Sequence, residues 1–111
     1  MTRSVSVVTR TLPPEFHLLS ARASIPTHVV YRAFAAETII LNLETGKYHG
    51  LNSTGGRMLE LLDRCNTVAE AATMFASDFG KEPVDVEPDI RAFCSRLFER
   101  GLIDVTLNGS H

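Results

Sequence analysis

The feature that most constrains this chain is a change of hydrophobic period at Asn52. Before it, from His28 to Leu51, apolar residues come in short β-branched runs; after it they recur every three or four positions as far as Gly101. A period of two builds strands and a period near 3.6 builds helices, so the chain must place a small sheet before a set of helices.

The first run is His28–Phe34, the second Thr38–Leu43 and the third Lys47–Leu51. In the second, Ile39, Leu41 and Leu43 share one face and Thr38, Ile40 and Asn42 the other, as in a half-buried strand. Glu44, Thr45 and Gly46 link it to the third, with Gly46 where a short hairpin loop needs positive φ. Those two strands are expected to form an antiparallel hairpin.

Beyond it, Met58, Leu59 and Leu62 mark a helix to about Arg64, capped by Asn52 or Ser53. Thr67-Val-Ala-Glu70 is a capping box that opens a second helix along Val68, Ala72, Phe75 and Phe79, ended by Gly80. A third is expected after Asp85, with Pro88 in its first turn, an apolar arc of Ile90, Phe93, Cys94, Leu97 and Phe98, and Gly101 as its stop. Leu102–Thr106 closes the domain as a short strand or extended tail.

The order β-β-β-α-α-α predicts an α+β fold, a three-stranded antiparallel sheet followed by three helices, close to a winged helix-turn-helix. The domain is expected over residues 28–106. Residues 107–111 read as a disordered tail. Residues 1–27, with Pro13, Pro14 and Pro26, read as a flexible arm, mobile or covering an apolar patch, with a helical turn or two possible between Glu15 and Ala23.

Chemistry has few places to sit. With 111 residues, 44% of them hydrophobic, the chain has little volume for a deep pocket enclosing cofactor and substrate, so neither enzyme nor cofactor is expected. His17, His28, His49 and His111 show no ligand spacing with one another or with Cys65 and Cys94, and no metal is expected. Cys94 reads as a small core hydrophobe without a triad partner. Ser53-Thr-Gly-Gly56 opens a helix but lacks any phosphate-loop spacing, which leaves capping and close packing as its reading.

Two separated cysteines and no secretory signal pattern point to the cytoplasm, and no apolar run approaches the roughly 18 to 20 residues of a membrane span. The formal net charge of −2 offers nucleic acid no attraction. Arg91, Arg96 and Arg100 would suit a recognition helix, but Asp89 and Glu99 interleave with them and residues 28–106 hold eight bases against twelve acids. A winged-helix DNA-binding regulator is therefore the alternative reading, with a small hydrolase behind it.

What remains is the third strand, whose outer flank carries backbone groups with no assigned partner. An open edge beside a broad apolar helix face is suited to strand addition by a peptide, or to pairing with a second copy of the chain as a homodimer.

The run Glu37–Asn52 (ETIILNLETGKYHGLN), followed by Thr54-Gly55, Leu61-Leu62, Thr67-Val68 and Arg100-Gly-Leu-Ile103, resembles the PqqD-like family of peptide-modification chaperones. It is similar to the precursor-peptide recognition elements of ribosomally synthesised, post-translationally modified peptides (RiPPs). The resemblance implies that a precursor's leader peptide adds as a fourth strand to the third strand and rests against the third helix. Carried over by position, backbone contacts would come from Lys47, Tyr48, His49, Gly50 and Leu51, and pockets or charge from Phe93, Arg96, Leu97 and Arg100. It also implies a non-catalytic role, handing the peptide to a modifying enzyme: a lasso-peptide leader protease or cyclase, or a radical-SAM enzyme as in pyrroloquinoline quinone biosynthesis. Two departures stand out, the long arm and Gly56, where the family more often has alanine.

Overall fold

The computed structural model describes residues 12, 13 and 15–107. The element order is α1 (Glu15–Leu18), β1 (Ala21–Ser24), β2 (Val29–Ala33), β3 (Glu37–Asn42), β4 (Tyr48–Asn52), α2 (Ser53–Arg64), α3 (Val68–Phe79), α4 (Pro83–Glu99) and β5 (Asp104–Leu107). Strands β2, β3 and β4 form the expected antiparallel sheet, in that order, and the three long helices follow it.

Local chemistry accounts for the junctions. Gly46 takes φ 74° in the β3–β4 turn, and the Asn42 carboxamide accepts the Glu44 and Thr45 amides at 2.9 and 3.3 Å, so a buried polar side chain is satisfied by the turn it precedes. Asn52 caps α2, its side chain accepting the Gly55 amide at 2.8 Å. At α3, the Thr67 hydroxyl accepts the Glu70 amide at 3.0 Å while the Glu70 carboxylate reaches back to the amide of Asn66 at 2.8 Å, one residue before the N-cap. Gly80, at φ 66°, ends the helix.

The buried face of β3 is the less apolar one. Thr38, Ile40 and Asn42 point into the core, while Leu43 and the two neighbours of Leu41, Val30 and Tyr48, stay exposed on the outer face. The reason is proximity: α2 lies so close to the sheet that a Cβ on Gly56 would overlap the Thr38 hydroxyl. Glycine at position 56, where the resemblance suggested alanine, is what the short helix-to-strand distance demands.

Two boundaries are corrected. Helix α4 begins at Pro83 rather than after Asp85, because a proline fits the first turn of a helix, where no amide bond is lost. Pro88 then falls inside the helix, at the loss of one backbone bond, and burial of Val86 and Ile90 on either side offsets it.

The second correction concerns the arm. Ala21–Ser24 pairs antiparallel with Asp104–Leu107 in a separate two-stranded sheet, from Ala21 opposite Leu107 to Ser24 opposite Asp104. Ala21, Ala23 and Leu18 are buried in the core, and the Ala69 amide donates to the Leu19 carbonyl at 2.8 Å. The ordered domain therefore reaches back to α1 and forward to Leu107, and its two ends clasp each other. The rest of the expected arm, residues 1–11 and Pro14, and the tail from Asn108 lie outside the described residues.

Candidate functional site

The edge of the sheet can be read bond by bond. Phe34 donates its amide to the Glu37 carbonyl and Leu43 to that of His28, both at 2.7 Å, so the odd-numbered residues of β3 bond to β2. Asn42 donates to the Lys47 carbonyl at 2.9 Å, so the even-numbered ones bond to β4. Antiparallel pairing alternates, which commits Lys47, His49 and Leu51 to β3 and turns the N–H and C=O groups of Tyr48 and Gly50 outward. Strand β4 ends the sheet, and no strand among the described residues meets that flank.

Beside the edge runs an open groove of about 630 Å³, walled on the far side by α4. Gly50 and Leu51 line it from β4, Gly55 and Met58 from α2, Phe75 and Phe79 from α3, and Phe93, Arg96 and Arg100 from α4. Phe75 and Phe79 stack with centroids 4.4 Å apart, and Phe79 keeps 43% of its surface exposed. The Arg96 guanidinium stands 5.9 Å from the Phe93 ring centroid, a cation–π contact at the rim. Lys81, Arg96 and Arg100 face a single lining carboxylate, Asp89, so the groove is cationic although the chain as a whole is acidic.

Of the residues expected at the site, Gly50, Leu51, Phe93, Arg96 and Arg100 come together in this groove. Leu97, at 3% exposure, faces the core. Lys47, Tyr48 and His49 are not among the lining residues, and the Tyr48 side chain is 72% exposed on the outer sheet face. A Cβ at Gly50 would meet nothing closer than the Glu37 carboxylate at 3.4 Å, so packing does not require that glycine. Sequence reasoning missed Phe75 and Phe79, which at helical spacing read as core, and Lys81 and Gly55, whose only signal was a position at a helix end.

The remaining chemistry is quiet. Burial pushes the Cys94 thiol up to about 12 and also raises that of Cys65, whose Sγ contacts Met74 Sδ at 3.5 Å, so both stay protonated near neutrality. Burial, then the 2.8 Å hydrogen bond its hydroxyl donates to Asp63, raises Tyr31. Arg57 is raised by its bonds to Asp78 and Glu60. No group of three or more metal-ligating side chains occurs among the described residues, and no described helix is long and apolar enough to cross a membrane.

The model of the family described as Coenzyme PQQ synthesis protein D (PqqD) matches residues 37–103, more than half of the chain. The chain belongs to the PqqD family. Among solved structures it is similar to one titled TbiB1 in Complex with the TbiA(beta) Leader Peptide, with 29% identity over 72% of this chain and 93% of that one and a TM-score of 0.66. A second, Lasso peptide synthetase B1 complexed with the leader peptide, shares the fold at 23% identity, covering 74% of this chain and 96% of that one with a TM-score of 0.65. No curated protein matches. The family match spans β3 to the residues just before β5, and so takes in both walls of the groove.

Proposed function

We propose that this PqqD-family protein binds the leader segment of a ribosomally made precursor peptide, without itself catalysing a reaction, and delivers it to a modifying or leader-cleaving enzyme. The leader adds to β4 as a further strand. Main-chain bonds to Tyr48 and Gly50 give sequence-tolerant affinity, while the Phe75–Phe79–Phe93 floor and the cations Lys81, Arg96 and Arg100 select among leaders. The observation that carries this reading is the outward-turned backbone of Tyr48 and Gly50, met by no strand among the described residues, beside an aromatic groove; a relative solved with a leader peptide supports it. Lys47, His49 and Leu51 then serve by holding β4 on β3, and Leu97 by packing α4. The class of enzyme served is a leader protease, cyclase or radical-SAM enzyme. DNA binding gains nothing from α4, where Arg91 sits by Glu87 on a different side of the helix from Arg96 and Arg100.

The test is Gly50→Pro. Proline deletes an outward amide and no bond to β3, and edge strands tolerate it. Titration with a synthetic leader from the neighbouring precursor gene should perturb the amides of residues 48–52 and α4 in the parent protein. Binding should weaken at least about tenfold in the variant, a loss of about 1.4 kcal/mol. Undiminished affinity in a folded variant would remove strand addition at β4 from consideration.

A further inference from the structure

On the outer face of the sheet the side chains stop one strand short of the β4 edge. The register sets Arg32, Ile39 and Gly50 in one row and Val30, Leu41 and Tyr48 in the next, while Glu37 stands opposite Asn52 in the row on the other side. Gly50 carries nothing, so its row ends at Ile39. A Cβ built on Gly50 would meet Glu37 Oε1 at 3.4 Å and Ile39 Cδ1 at 3.9 Å. The Glu37 carboxylate therefore reaches diagonally out of its own row and over the glycine, beside the flank read as the leader's.

These groups form a notch. Ile39 is its apolar floor, the Glu37 carboxylate its back wall and the exposed Tyr48 ring its side. Among the described residues no cation pairs with Glu37. Arg32 stands at the far end of the Gly50 row, two strand spacings or about 10 Å from the glycine, where salt screens it.

We infer that this notch takes a lysine or arginine of the leader, at the residue that pairs opposite Gly50. This rests on the reading of β4 as the leader site and adds a determinant of which leader is accepted. On an added strand that residue holds its Cβ on the outer face, roughly 5 Å from where a Cβ on Gly50 would stand. Lysine and arginine combine a stem long enough to cross the glycine along Ile39 with a cation to set against Glu37. A short apolar residue leaves the carboxylate unmatched, and an acid is repelled by it. The notch and the cationic groove lie on opposite faces of the added strand, and strand side chains alternate between faces. The leader this edge fits best is thus two-sided, with acids at groove-facing positions and a base between them. Glycine at position 50, which packing does not require, keeps the notch open.

The test uses synthetic peptides of the leader from the neighbouring precursor gene, with Lys, Gln or Glu at the position opposite Gly50, located by cross-strand NOEs to Gly50 in the parent complex. Calorimetric titration at 50 mM salt should find the Lys peptide at least about threefold tighter on the parent than the Glu peptide, with Gln between them. Glu37→Gln should erase that order and Glu37→Lys should reverse it. A merely structural Glu37 would give no reversal, and a reversal itself shows a folded variant. Equal affinity of the three peptides for the parent, or the same order on all three proteins, overturns the inference while binding and a shifted Gly50 amide leave the leader site standing. If no peptide binds the parent and the Gly50 amide does not move, the leader site and this inference fall together.

Discussion

Gly56 and Thr38 meet where α2 approaches the sheet, and the Thr38 side chain fills the space a Cβ at position 56 would need. A methyl group on Gly56 has to displace the Thr38 side chain from a buried position, so Gly56→Ala should cost about 1–3 kcal/mol by overpacking. In a Thr38→Ala background the same change should cost less, because the overlapping hydroxyl is gone, though the Cβ that alanine keeps, 2.9 Å from the added methyl, leaves part of the cost. Urea unfolding of the four proteins in that double-mutant cycle measures the coupling, and a purely additive result would exclude the contact as the cause. Cys94 gives a second prediction at this scale. Its pKa is raised from 9.0 to about 12 in the folded chain by burial, so between those values the unfolded chain loses the proton while the native one keeps it. Stability should therefore be intact below about pH 9 and fall as pH rises above it, and Cys94→Ala should flatten that fall. The stability of the two proteins measured at pH 8 and 10.5 checks the sign. The caps at Asn52 and Thr67 were legible in the sequence because both partners lie within one turn. The Gly56–Thr38 contact was not, because its halves sit on different elements.

At the scale of elements, the same distinction decides what could be read. The β3–β4 hairpin and the ends of α2 and α3 announce themselves through turn and cap residues a few positions apart. Strand β1 has only Ala21, Arg22, Ala23 and Ser24, too short and too weakly apolar to show a period, and its partner β5 comes at the far end of the domain. The face of β3 that turns inward was likewise set by α2, not by the strand's own hydrophobicity. Pairing of β1 with β5 carries a prediction that a mobile arm would not. Ala23 is buried, so Ala23→Asp places a carboxylate in the core without a partner and should destabilise by about 3 kcal/mol or more. An exposed position on a loose arm would tolerate the same change to within about 0.5 kcal/mol. Denaturant midpoints separate the two outcomes, and a neutral result would refute the β1–β5 clasp.

At the scale of the whole molecule, net charge and local charge point in opposite directions. The formal charge of −2 lowers the expectation of nucleic-acid binding but conceals a groove where Lys81, Arg96 and Arg100 outnumber Asp89. Linear sequence could not show this, because Lys81 follows the end of α3, Arg96 lies in the last turn of α4 and Arg100 caps that helix; only the fold sets them around one cleft. A cationic groove at the edge of an acidic domain attracts an acidic extended peptide while the rest of the surface repels it, which favours docking in one place. Exposed charge pairs are each worth about 0.2–1 kcal/mol, so reversing one charge in the groove should be measurable without abolishing binding. Arg100→Glu is the cleaner choice, since Arg96 also packs on Phe93. Its affinity for an acidic leader should fall about three- to tenfold at 50 mM salt, and the difference should shrink towards nothing near 500 mM as screening removes the contribution. A leader with its acids replaced by glutamine should bind the parent and Arg100→Glu alike. If calorimetric titration finds the same loss at both salt concentrations, or with the glutamine peptide, Arg100 acts by shape, and the cations do not set which leader is accepted.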